Sequence, residues 1–248
     1  VQDEASKWTT KGPFTSAALL WTGWLLGGVA SFAVGRSQEL LFYIRELEDA
    51  GRIPVLPVYL DSPMAVSATE IFEKWKLVYD MEARMQELDG KRIMQTKMLH
   101  VVRDAEESKL LHNVKGPAIF ISASGMLEGG RILHHLEHRL PFAQNTVLFV
   151  GYQAEGTRGR SILNGNPTVK IHGQEVPIKA KIETISGFSG HADYKEILAW
   201  LMGFNRPPLK TFIVHGEPDA AFSLAERLRA QLGFPQVAVP ELGERFTL

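Results

Sequence analysis

Short unbroken apolar runs alternate with amphipathic stretches along most of this chain. Residues 29–34 read as a strand closed by Gly35. Residues 37–50 (SQELLFYIRELEDA) put Leu40, Leu41, Ile44 and Leu47 on one helical face, with Gly51 as the stop. IPVLPVYL (53–60), AIFIS (118–122) and TVLFVGY (146–152) read as buried strands. Helices are expected at 65–75, 131–139, 194–203 and 220–232, with short strands at 211–214 and near Val237. Residues 76–115 are charged, and Met81, Met85, Leu88, Met94 and Met98 recur at loose helical spacing, which predicts a core-facing stripe. Strands alternating with helices predict an α/β fold with a mostly parallel sheet flanked by helices.

The texture changes near Thr168. TVKIHGQEVPIKAKIETI alternates apolar and polar residues around HGQ, the pattern of an antiparallel hairpin. NGNP just before it supplies turn chemistry, so a domain boundary is placed at 164–168. Near the other end, residues 12–35 carry no charge and follow Lys11, which raises a signal peptide or a membrane span. Gly12, Gly23, Gly27, Gly28 and Gly35 interrupt that run. It reads instead as a buried helix and a buried strand joined at GG, with no membrane association.

Composition narrows the function. The chain has 248 residues, 45% hydrophobic and 22% charged, an ordinary globular balance. A net charge of -1 gives no global basic field, although a local basic groove remains compatible with it. With no cysteine, disulfides, thiolate metal sites, iron–sulfur clusters and a Cys nucleophile are excluded. That fits a cytoplasmic protein and leaves only His, Asp and Glu to build a metal site.

Three strand ends deliver polar residues into loops, where open α/β sheets place their sites. In VYLDSPMA, Asp61 and Ser62 follow a strand and are candidates for an RNA- or phosphate-binding surface, although the plainest role for Asp61 is to cap the next helix. In FISASGMLEGGRILHH, small Ser122, Ser124 and Gly125 would let backbone N–H groups approach a phosphate, or simply form a tight turn. His134 and His138 follow at i, i+4, a chelating spacing, but no HExxH accompanies them. In GFSGHAD and FIVHGEPD, His191 and His215 sit beside glycine, each with an acidic residue two positions on, Asp193 and Glu217. Such imidazoles can bind metal or move a proton. Arg158 and Arg160, interleaved with glycine, could bind phosphate or lie in a solvated turn. His100, His112 and His172 read as surface residues.

Taken in order, SFAVGRSQELLFYIREL, PVYLDSPMA, IFISASGML, VGYQAEGTRGR, ISGFSGHAD and VHGE resemble the β-CASP ribonucleases, the RNA-processing branch of the metallo-β-lactamase superfamily. The resemblance implies a β-CASP domain over 29–165 and, over 166–248, the C-terminal segment of a metallo-β-lactamase αββα fold. Residues 1–28, which hold Trp8, Trp21 and Trp24, do not share it. It further implies that His191 assists the leaving group and that His215 ligates one of two zinc ions, which together activate a water against a phosphodiester. Arg36 and the loop with Ser122, Ser124 and Gly125 would belong to a cleft for single-stranded RNA.

Two family signatures, HxHxDH and E-[ST]-T-Y-G, do not occur in these 248 residues. The expectation is therefore a truncated β-CASP metallo-hydrolase of ribonuclease ancestry with an incomplete dinuclear zinc site. Apolar surface left uncovered would favour a homo-oligomer. The alternatives are a non-catalytic RNA-binding module and an ester hydrolase with Ser124 or Ser189 as nucleophile, His191 or His215 as base and Asp193 or Glu217 as the residue that orients it, although no GxSxG elbow is present.

Overall fold

A computed structural model describes residues 26–185, 187 and 191–247. The chain divides into two compact units between Phe188 and Ser189.

In chain order the first unit contains β1 (Leu26–Ala30), α1 (Arg36–Asp49), β2 (Val58–Leu60), α2 (Pro63–Lys74), α3 (Met81–Leu88), β3 (Leu99–Val101) and α4 (Ala105–Leu110). It continues through β4 (Ala118–Ser122), α5 (Arg131–Arg139), β5 (Thr146–Val150), α6 (Arg158–Leu163), β6 (Thr168–Ile171), β7 (Gln174–Pro177) and β8 (Lys181–Ile185). Six of the strands form one sheet in the order β3-β2-β4-β1-β5-β8, every pair parallel. The predicted α/β architecture with a mostly parallel sheet is the one observed.

Alternation along the central strands divides the core into two layers. Val29, Ile119, Ile121, Leu148 and Val150 face one way and meet Leu40, Leu41, Ile44 and Leu47 of α1 and Ala65 and Val66 of α2. Ala30, Val147 and Phe149 face the other way and meet Ile132, Leu133 and Leu136 of α5, Ile162 of α6, and Val169, Ile171 and Val176 of the hairpin. Because both faces are covered, the central strands are buried throughout: all five residues of β4 and of β5 are buried, and all but Ser122 and Thr146 are apolar. Helix α1 ends as its sequence suggests. Gly51 takes φ 63, and the amides of Gly51 and Arg52 bond the Glu48 and Leu47 carbonyls.

The second unit holds α7 (Tyr194–Leu201), β9 (Thr211–Phe212), α8 (Pro218–Leu232) and β10 (Val237–Ala238). Strands β9 and β10 pair in parallel, and Leu198, Ala225, Leu228, Phe234 and Val237 form the core.

Several expectations are corrected. The strand expected over 29–34 runs from Leu26 to Ala30. The one expected over 53–60 shrinks to Val58–Leu60, since Pro54 and Pro57 remove ladder donors. The methionine stripe is not core: Met81, Met85 and Leu88 are 76%, 61% and 86% exposed, while Met94 is buried. On the eight-residue α3 it is Ala83, on the opposite face, that touches the core. His112 is half-buried and stacks on His138 at 4.0 Å. TRGR opens a short helix, α6, rather than staying in a turn. The helix expected before β1 lies outside the described residues. Among the described residues no helix is long and apolar enough to cross a membrane.

Candidate nucleic-acid interface

The carboxyl ends of β1, β2, β4 and β5 lie side by side, because Ala30 pairs with Ser122 and with Phe149, and Leu60 pairs with Ile121. After β1 the chain passes to α1 on one face, and after β4 to α5 on the other. The adjacent strands β1 and β4 therefore bound a switch point, the place where such sheets hold ligands.

Beneath this edge lies a buried polar network centred on Asp61, which is 0% exposed. Its Oδ1 accepts from Arg131 Nη1 at 2.7 Å, and its Oδ2 accepts from Ser108 Oγ at 2.6 Å. His135 Nε2 stands 2.6 Å from the same Oδ2. On its other side, His135 Nδ1 faces Arg139 Nη1 at 3.1 Å. A guanidinium only donates, so Nδ1 must accept and the His135 proton sits on Nε2. His135 is thus a neutral donor to an ionised Asp61. Burial depresses the His135 pKa, and Arg139 adds to that against the pull of Asp61. For Asp61, burial pushes the pKa up, but hydrogen bonds from His135, Ser108 and Arg131 together outweigh it and hold the carboxyl below its usual range. Arg139 lies 4.0 Å above the Phe120 ring and donates to the Leu111 carbonyl, and burial lowers its pKa to about 10. Although Ser, Asp and His are all present, Asp61 occupies the centre and Ser108 and His135 both bond to it. That order is a brace, not a nucleophile–base relay.

The brace fixes two loops. Ser122 Oγ donates to the Asp61 carbonyl at 2.8 Å, and Ser62, not Asp61, caps α2 by accepting from the Ala65 amide. Asp61, Ser62 and Ser122 are 0%, 6% and 0% exposed, so these side chains lie below the surface. Ser124 accepts from the Glu128 amide, and the Gly125 carbonyl accepts from Gln153 Nε2 at 2.9 Å, which ties the loop after β4 to the one after β5. A Cβ on Gly125 would stand 3.0 Å from the Phe32 ring, and one on Gly151 would stand 4.0 Å from it. Phe32 therefore lies across the backbone of both loops, 45% exposed, and Tyr152 follows at 53%. The Arg160 guanidinium sits 5.8 Å from the Tyr152 ring.

The arginines predicted from sequence have structural partners. Arg36 pairs with Glu39, and Arg160 with Glu155 at 2.6 Å. Arg158 donates to the Leu127 carbonyl and to the Lys170 carbonyl of β6. In the second unit His191 and His215 are exposed. Asp193 caps α7 in a capping box with Glu196, and Glu217 takes the position before Pro218 of α8. Sequence reasoning missed Ser108, Arg131, His135 and Arg139. The last three recur every four residues along one face of α5, where His135 and Arg139 are buried and Arg131 is half-buried, a signal that a row of polar side chains beside apolar residues could have supplied.

Comparison with known proteins agrees with this architecture. A family model described as the Beta-Casp domain matches residues 37–162, and one described as a Zn-dependent metallo-hydrolase RNA specificity domain matches 175–240. The chain belongs to the β-CASP ribonuclease family of the metallo-β-lactamase superfamily, and its ancestry is that of an RNA-processing hydrolase. It is 39% identical over 216 residues to ribonuclease TTHA0252 of Thermus thermophilus, covering 87% of this chain and 48% of the relative. Transcription termination factor FttA of Pyrococcus horikoshii is 32% identical over 211 residues, 83% of this chain and 32% of its own. An RNase J-like protein of Methanocaldococcus jannaschii is 29% identical over 204 residues, 82% of this chain and 46% of its own. The chain thus spans half or less of each of these relatives.

Zinc is typical of this family. A catalytic zinc takes three protein donors and keeps a fourth position open. Among the described residues, the only His/Asp/Glu trio with converging donor atoms is His134, Glu137 and His172, and it does not include His215. The described residues about His215 do not by themselves fit a zinc ion, so no chemical step is assigned to one.

Proposed function

We propose that this chain is the RNA-engaging part of a cytoplasmic β-CASP ribonuclease, and that single-stranded RNA lies across the loops at the carboxyl ends of β1, β4 and β5. One observation carries the reading: the aromatic rings of Phe32 and Tyr152, 45% and 53% exposed, project from adjoining loops at a switch point with Arg160 alongside. Exposed rings beside a guanidinium suit stacking of unpaired bases and contact with a phosphate. Ser124 and the Gly125 backbone present small groups to the same surface, where a phosphate can approach. Arg36 and Arg158 flank it. Asp61, Ser62 and Ser122 support the loops from below. In the second unit His191 would pass a proton to the leaving oxygen of a phosphodiester, with Asp193 and Glu217 as positioning residues, and His215 would be a zinc ligand once other donors join it.

Fluorescence anisotropy with a labelled single-stranded RNA tests this. Affinity should fall with salt, and Phe32→Ala or Tyr152→Ala should each weaken it by about 1–3 kcal/mol, roughly 5- to 150-fold. Arg160→Gln should flatten the slope of log K against log salt by about 0.7. Absence of salt-dependent binding, or an unchanged Phe32→Ala protein, would overturn the reading. Incubation of the same RNA with and without chelator separates metal-dependent cleavage from binding alone.

A further inference from the structure

The geometry points to a surface site for a divalent transition-metal ion of the zinc class, built by His134 and Glu137 of α5 and His172 of the β6–β7 turn. The ligating atoms of these three side chains all lie within 4.8 Å of one another. The donors of a tetrahedral zinc with 2.0–2.1 Å bonds stand about 3.3 Å apart, so no pair in this trio has to close by more than about 1.5 Å. One of the three separations is already there: His172 Nδ1 is 3.0 Å from Glu137 Oε2. His134 joins through its ring, whose centroid is 4.4 Å from that of His172.

The backbone explains the convergence. His134 and Glu137 stand at i, i+3 and share a face of α5. Strands β6 and β7 pair Ile171 with Gln174, leaving a two-residue turn of His172 and Gly173, both at positive φ, 47° and 83°. That is the tight hairpin turn whose twist matches its strands. Val169, Ile171 and Val176 pack in the same core layer as Leu133 and Leu136 of α5, which seats the turn against the helix. The i, i+4 partner noticed in the sequence takes another course: His138 Nδ1 bonds the His134 carbonyl, and its ring stacks on His112.

Two imidazoles and one carboxylate form a donor set typical of zinc, with a water completing four-coordination at this solvent-facing position. A bound ion would fasten the hairpin to α5. It would also displace the proton that now joins His172 to Glu137.

The test is Zn2+ binding by the 248-residue chain, metal-stripped and titrated against a chromophoric competitor. All proteins carry His215→Gln, so that this candidate ligand contributes nothing. One ion per chain is expected, weakened at least about tenfold by His134→Gln, Glu137→Gln or His172→Asn; asparagine tolerates the left-handed turn position. Zn2+ at 100 times its dissociation constant should raise the melting temperature by about 5 °C or more, and that rise should vanish in the three variants while their metal-free melting temperatures stay near the parent's. No bound zinc, or binding that survives both His134→Gln and His172→Asn, overturns the site.

Discussion

Replacing Asp61 by asparagine would isolate the charge at the centre of the buried brace, because the side chain keeps its size and leaves no cavity. Three donors, from Ser108, Arg131 and His135, converge on the carboxylate at 2.6 to 2.7 Å. An amide offers one oxygen where two are needed and turns an N–H toward at least one of those donors. Ser108 can rotate its hydroxyl to accept. His135 cannot exchange tautomers freely, because Arg139 donates to its Nδ1. Arg131 keeps bonds to the Val102 and Arg103 carbonyls and some solvent contact. Removing one partner of a buried ion pair costs about 3–5 kcal/mol, and the partial rescue of Arg131 places this case near 3. That corresponds to a drop in melting temperature of roughly 6–12 °C. Urea unfolding of both proteins from pH 7 to pH 3 is the assay. The Asp61 carboxyl titrates below its usual value of 3.8 in the fold. Its contribution is therefore complete above the unfolded pKa and is lost as pH falls through the folded one. The gap between wild type and variant should be widest at pH 7 and narrower at pH 3. A loss under about 1 kcal/mol at pH 7, or a gap that does not change with pH, would refute the account of an ionised, triply bonded carboxylate.

Other outcomes follow from the same structure. Gly130→Ala puts a Cβ 2.4 Å from the Ala123 carbonyl oxygen at φ 78, and should cost about 1–3 kcal/mol in urea unfolding while weakening RNA binding through the displaced loop. Gly159→Ala drives a Cβ to 1.7 Å from Gln153 Oε1, so loss of the Gln153–Gly125 bond should show as faster amide exchange in the loop after β4. His112 is held neutral, chiefly by burial and then by His138, with its pKa lowered from 6.5 to about 4. Its folded form binds fewer protons than its unfolded form in that window, so stability should decline as pH falls from 6.5 to 4, and less steeply in His112→Gln. Light scattering should report a mass above that of one chain, given Trp200, Met202 and Phe222 at 72%, 65% and 57% exposure on the second unit; a monomer at micromolar concentration would refute self-association.

The fold was legible where one local rule governed each segment. The bounds of β4 and α5 agree with the pattern because an apolar pentad and a 3.6-residue stripe have few other uses. Strand β3 was hidden, since its three residues LHV lie within a charged stretch and complete only a sheet edge. The site was legible as a set of strand ends but not as roles. Asp61 before Ser62-Pro63 satisfies the rules for a helix cap, and only the position of α5, seventy residues on, reveals it as a buried acceptor. His172 is likewise an ordinary turn residue until the packing of the hairpin brings it to Glu137.

The two margins of the six-stranded sheet have a bearing on how copies of this chain can meet. At one margin β3 offers only three residues, and Arg103 just beyond it is tied to Glu70. At the other, β8 carries Lys181 and Glu183 on one side, paired with each other at 2.8 Å. Brevity and charge at a sheet margin discourage a foreign strand from docking there. Extension of the sheet by a foreign strand at these two described margins, the backbone-to-backbone route that leads to fibres, is thereby disfavoured.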